Sequence, residues 1–132
     1  MALTKQTSQQ VANGALENIP SLAFTIFPTA AVTQATNRTT GVTLSAYSGT
    51  ITTNTTSLAA LAAATFTVTN TLVAVGDVVL VAQRSGATNV KTDVRATAIA
   101  AGSFNITVHN IDASTAEIGA IIINFIVLKV LV

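Results

Sequence analysis

The stretch ATFTVTN at 64–70 alternates apolar and polar residues without a break, and GSFNITVH at 102–109 does so again. In a strand, successive side chains point to opposite faces, so Phe66 and Val68 share one face while Thr65, Thr67 and Thr69 share the other. Phe104, Ile106 and Val108 form the same kind of stripe. A helix would scatter both patterns around its circumference. The chain is therefore expected to build sheets with one face in a core and a threonine face outside.

Threonine occupies 23 of the 132 positions, whereas Lys, Arg, Asp and Glu together occupy only 8%, against about a quarter in an ordinary soluble domain. Threonine combines high strand propensity with a hydroxyl that water solvates, so it takes over the outer surface from charged residues. The net charge is +1 and the charges are scattered, so there is no basic stripe to neutralise phosphates and nucleic acid is not an expected partner. Net charge near zero favours association. Cysteine is absent, which excludes a disulfide framework, a thiolate nucleophile and a Cys-based metal site. The length suits one domain.

The opening MALTKQTSQQVANG has no apolar signal-peptide region, so no export signal is expected. IGAIIINFIVLKVLV at 118–132 is too short, and interrupted by Asn124 and Lys129, to span a bilayer, which takes about 20 apolar residues. It reads as a buried strand. The sequons at Asn37, Asn54 and Asn105 are the chance triplets of a Thr-rich chain.

Residues 1–38 read as an extended N-terminal arm and 39–132 as the folded unit. Within the arm, LAFTIF at 22–27 alternates Leu22, Phe24 and Ile26 against Ala23, Thr25 and Phe27 and ends at Pro28, the signature of an edge or docking strand. Strands are expected at 40–46 and 49–53, with a turn at Tyr47-Ser48-Gly49. SLAALAAA at 57–64 has helical propensity over about two turns. DVVLVAQR at 77–84 and the run at 119–131 are apolar on both faces, which suits strands covered on both sides or placed at a subunit contact.

An internal echo links TFTVTN followed by DVVLV to SFNITVHN followed by AIIINFIV, read as two stacked hairpins. The expected fold is all-β, a jelly-roll-like β-sandwich of about eight short strands with an extended N-terminal arm.

No catalytic constellation emerges. His109, the only histidine, has no second His for a relay or metal site and reads as a solvated or turn residue. Asp77 is expected to cap the turn after Gly76, and Asp112 with Ser114 and Thr115 to form an Asx turn. Arg84, Lys91, Asp93 and Arg95 would form an exposed charge ladder able to meet a partner protein. The seven glycines are scattered, with no phosphate loop or dinucleotide fingerprint. An ice-binding threonine array would need a fixed-period repeat, which is missing. No enzyme activity, cofactor or metal is expected.

The succession TGVTLSAYSGTITT, SLAALAAATFTVTN, GDVVLV, AAGSFNITVHN and AIIINFIVLKV resembles small phage virion proteins of the capsid decoration, cement or head-fibre type, over about residues 33–130. The resemblance implies a homotrimeric knob on the outer surface of a phage head, made in the host cytoplasm. Its partners would be its own copies and the major capsid protein, with no membrane involved. It assigns Val79, Val81, Ile121, Ile123, Phe125 and Val127 to the core or subunit contact, and Leu16, Leu22, Phe24, Ile26 and Phe27 to a capsid-docking arm. The alternatives are a receptor-binding knob of a tail or head fibre and a bacterial adhesin module. Carbohydrate-binding knobs display exposed aromatics, and a chain with one Tyr and no Trp is poorly equipped for that.

Overall fold

The structure is a computed structural model that describes residues 29–131. It contains eight strands and, among the described residues, no helix: β1 (Thr29–Thr33), β2 (Val42–Thr43), β3 (Ser48–Thr52), β4 (Ala63–Thr69), β5 (Val78–Ser85), β6 (Thr92–Ala100), β7 (Ser103–Asn110) and β8 (Ile122–Leu128). They form two four-stranded sheets, sheet A in the order β1-β3-β8-β5 and sheet B in the order β2-β4-β7-β6. β1 runs parallel to β3 and β2 parallel to β4, while every other pair is antiparallel. Those two parallel pairs depart from the antiparallel pairing of a jelly roll.

The alternating stretches become β4 and β7, the central strands of sheet B. Phe66, Val68, Phe104, Ile106 and Val108 turn inward and are almost fully buried. Sheet A answers with Ile51, Val79, Ile123, Phe125 and Val127, all in the same core cluster. The rings of Phe104 and Phe125 meet across the two sheets at a centroid distance of 5.5 Å and a tilt of 55°, a favourable edge-biased geometry. Phe104→Ala is expected to cost about 3–5 kcal/mol, the range for a buried aromatic truncated to alanine. A urea midpoint shifted by less than about 1 kcal/mol equivalent would show that the inter-sheet space can collapse around the gap.

The internal echo is real, but its units are not hairpins. Each starts in sheet B and ends in sheet A, β4 leading to β5 and β7 leading to β8. β4 pairs antiparallel with β7, and β5 antiparallel with β8. The two units thus lie side by side in both layers, and side-chain pattern alone does not distinguish a hairpin from a crossover between layers.

Three local expectations are corrected. Residues 57–64 form no helix. Leu58 instead exchanges backbone hydrogen bonds with Glu117 at 2.9 and 2.8 Å, a turn closes from Ala62 N–H to Ala59 C=O, and β4 begins at Ala63. Two turns of helix are too short to nucleate alone, and the Asn110 side-chain amide donates to the carbonyls of Leu58 and Ala59. Ser48 and Gly49 belong to β3 rather than to a turn; Gly49 is needed there because a Cβ would meet the Phe125 ring at 2.8 Å. Finally, residues 29–38, which fall within the expected arm of 1–38, carry β1 and the buried Gln34 and Arg38.

Asp112 forms the expected Asx turn, accepting from Ser114 N–H at 2.8 Å and Thr115 N–H at 3.1 Å, and pairs with Lys91 at 3.2 Å. The Ser114 N–H donor, followed by the Lys91 and Thr115 donors, outweighs the upward pull of burial and holds its carboxyl at about 2. Because this folded value lies below the ordinary 3.8, the stabilisation is complete above about pH 5 and is lost as acid titrates the carboxylate toward pH 2. Unfolding midpoints of the wild type and Asp112→Asn are expected to diverge at neutral pH and converge near pH 2. Parallel pH profiles would refute this.

Candidate functional site

Sheet A buries one face only. Val79, Ile123, Phe125 and Val127 point into the core, Ile121 is buried just ahead of β8, and Val81 is half-buried against the same cluster. All six residues that the sequence placed at the core or subunit contact are therefore on the inner side. The alternate residues of the same strands point out. Val78 stands opposite Leu128, and Leu80 opposite Ile126, as direct cross-strand partners. Val78 is 44%, Leu80 51% and Leu128 37% exposed, with Ile126 half-buried between them. Each pair brings two aliphatic side chains within contact of each other, giving an apolar strip along the β5 edge of sheet A.

The strip fades across the sheet. Asn124 accepts a hydrogen bond from the Thr50 hydroxyl at 3.0 Å, and β3 presents Ser48, Thr50 and Thr52 outward in register with Ile126, Asn124 and Ile122. A shallow depression bordered by Ser48, Thr50, Asn124 and Arg84 adjoins it. At the other end Lys129 is tied to Asp77 by an ion pair and also donates to Leu72 C=O. The Lys129 donor, then the Ala74 N–H, keep the Asp77 carboxyl below its ordinary value. Asp77 therefore caps the turn that precedes it and pins Lys129, so this charged pair lies off the strip.

Sheet B presents the opposite chemistry. Its outer face carries Thr65, Thr67 and Thr69 on β4, with Thr65 hydrogen-bonded to Thr107 at 2.8 Å and Thr67 to Asn105 at 3.0 Å. His109 sits half-buried in one row with Ala63 and Asp93, and Arg95 lies opposite Thr107. Asp93 and Arg95 are exposed on β6, and Lys91 just before it is exposed and engaged by Asp112; Arg84 is exposed on β5 of sheet A instead, so the four expected charges do not form one ladder on this face. Such a face is satisfied by water. Of the other large exposed apolar residues described, Leu61, Val75, Val90, Ile111 and Ile118 sit in the connections between strands, and Val130 and Leu131 follow β8.

Among the described residues no three His, Asp or Glu side chains come together to hold a metal ion, and no helix is long and apolar enough to cross a membrane. The arm residues Leu16, Leu22, Phe24, Ile26 and Phe27 lie outside the described residues. Sequence reasoning named the inward members of β5 and β8 and passed over Val78, Leu80, Ile126 and Leu128. The available signal was that a two-layer fold covers only one face of each sheet, so a strand apolar on both faces must leave one of them outside. Comparison with protein-family models, curated proteins and solved structures finds no match.

Proposed function

We propose that this chain is a structural protein of a phage virion, a capsid decoration or cement protein. Its two sheets form a β-sandwich knob that associates as a homotrimer and binds the outer surface of the assembled head through the major capsid protein. The observation that carries the reading is the apolar strip of Val78, Leu80, Ile126 and Leu128 on a chain in which only 8% of the residues are charged. An outward strip of this kind marks a protein contact, and a threonine surface without charge repulsion lets copies crowd on a lattice. A protein that binds the assembled shell and not its free subunits stabilises the shell by mass action. No titrating side chain is needed for that role.

The test adds purified protein to heads that lack it and follows shell melting together with binding to host cells. A rise in shell melting temperature that saturates with bound protein is expected. Saturable cell binding with no gain in shell stability would overturn the reading in favour of a receptor-binding knob. Leu80→Asp is expected to leave the monomer's unfolding midpoint within about 1 kcal/mol of wild type, because the position is exposed, while abolishing self-association.

A further inference from the structure

Four strands lie at sheet edges, and they are not equally protected. β2 is two residues long. β6 carries Asp93 and Arg95 outward, the charged guard that natural edges use against unwanted pairing. β1 is entered directly from residues 1–28. β5 carries such a guard only near its end, at Arg84. Its first four residues, Val78-Val79-Leu80-Val81, are uncharged and β-branched or aliphatic, and β8 is their only strand partner in the described residues. A free edge of this composition is a template for another strand.

The sequence contains one segment with matching chemistry, LAFTIF at 22–27. Its position relative to β5 decides which copy it can serve. Thr29 lies in register with Ser48, Ser48 with Ile126, and Ile126 with Leu80. Three strand spacings separate β1 from β5, about 14 Å, and a strand added beyond β5 would lie about 19 Å from β1. Phe27 is two residues from Thr29 and reaches about 7 Å at most. Residues 22–27 are therefore too short of reach to lie along the β5 edge of their own chain. Laid crosswise over sheet A they would find no ladder partners, leaving backbone groups unpaired on an apolar surface.

We propose that residues 22–27 of one copy add as a strand to the free edge of β5 in a second copy, with Leu22, Phe24 and Ile26 facing the same way as Val78 and Leu80. This rests on the self-assembly reading above and supplies its contact. It leaves residues 1–20, including Leu16, to meet the shell.

The chain has no cysteine, so the double variant Leu22→Cys/Ala82→Cys in the full-length chain reports the contact through a short bismaleimide, position 22 facing the same way as the exposed Ala82 in the proposed pairing. Cross-linked dimers and larger species are expected on denaturing gels. The further change Phe24→Ser/Ile26→Ser is expected to remove them and to weaken self-association about a hundredfold or more in sedimentation. A cross-link within one chain, running as a monomer, would overturn the proposal in favour of cover by the chain's own arm. Assembled protein without any cross-link would overturn it too, while leaving the self-assembly reading intact. A single-chain mass at every concentration would sink both.

Discussion

Glu117→Ala is expected to destabilise the protein by about 3–5 kcal/mol, as removal of one member of a buried charged network does, and to lower its melting temperature by about 10 °C or more. Glu117 is 0% exposed. Its carboxylate accepts from Thr88 N–H at 2.8 and 2.9 Å, from Asn89 N–H at 3.2 Å and from Gly119 N–H. Burial pushes its carboxyl up, but the donors at Thr88, Gly119 and Asn89 outweigh that and hold it below the ordinary value. Arg38 is buried close by. It donates to the carbonyls of Thr56, Glu117 and Gly119 and to the Thr53 hydroxyl. Burial pulls the guanidinium down from its ordinary value while the Glu117 charge pulls it back up.

Alanine at 117 would orphan three backbone donors and leave Arg38 without its compensating charge. Glu117→Gln keeps one acceptor and turns an amide N–H₂ toward N–H groups, so an intermediate loss is expected. Chemical denaturation of both variants checks the order. A loss below about 1 kcal/mol for the alanine variant would mean that water reaches those donors.

Gly86→Ala is expected to cost at least about 3 kcal/mol, combining a left-handed backbone with a steric collision. Gly86 has φ +96°, and a Cβ there would stand 1.9 Å from the Ala120 carbonyl oxygen. Across the contact, a Cβ on Gly119 would stand 2.1 Å from the Gly86 carbonyl oxygen. The two glycines let the segment after β5 pass against the segment before β8, where Glu117 ties it down. Gly76 is the control. It has φ +93° but open space around the added carbon, so Gly76→Ala should cost only about 1–2 kcal/mol. Equal losses at 76 and 86 would refute the steric account. Gly86→Ala and Gly119→Ala together should lose less than the sum of the two, because both open the same contact.

The alternation in β4 and β7 was legible because every inward residue is apolar and every outward one polar or small. Burial then follows the strand period from Ala64 through Val68 and from Ser103 through Ile106, while Thr107, which faces outward, is buried as well. The Asx turn at Asp112 was legible for a similar reason, since its hydrogen bonds join residues two and three positions apart. The Arg38–Glu117 network was not. Its members are 79 residues apart and neither has a charged neighbour in sequence that hints at a partner. Nor was the fate of SLAALAAA legible, because Leu58 and Ala59 are held by Asn110 and Glu117, which lie about fifty to sixty positions further along.

The outward strip falls between these cases. That β5 and β8 are apolar on both faces can be read from the residues. Which face is covered depends on the sheet order β1-β3-β8-β5, and no local pattern encodes that order. The sequence by itself determined that the chain forms sheets, that threonine rather than charge coats one of them, and that two strands carry more apolar surface than one layer can hide. Only the tertiary structure decided that Val79 and Val127 go inside while Val78, Leu80, Ile126 and Leu128 stay out, and that β5 ends the sheet. The physical reason is that alternation specifies two faces but is symmetric between them when both are apolar. The tie is broken by long-range packing, here the meeting of Phe125 with Phe104 across the core.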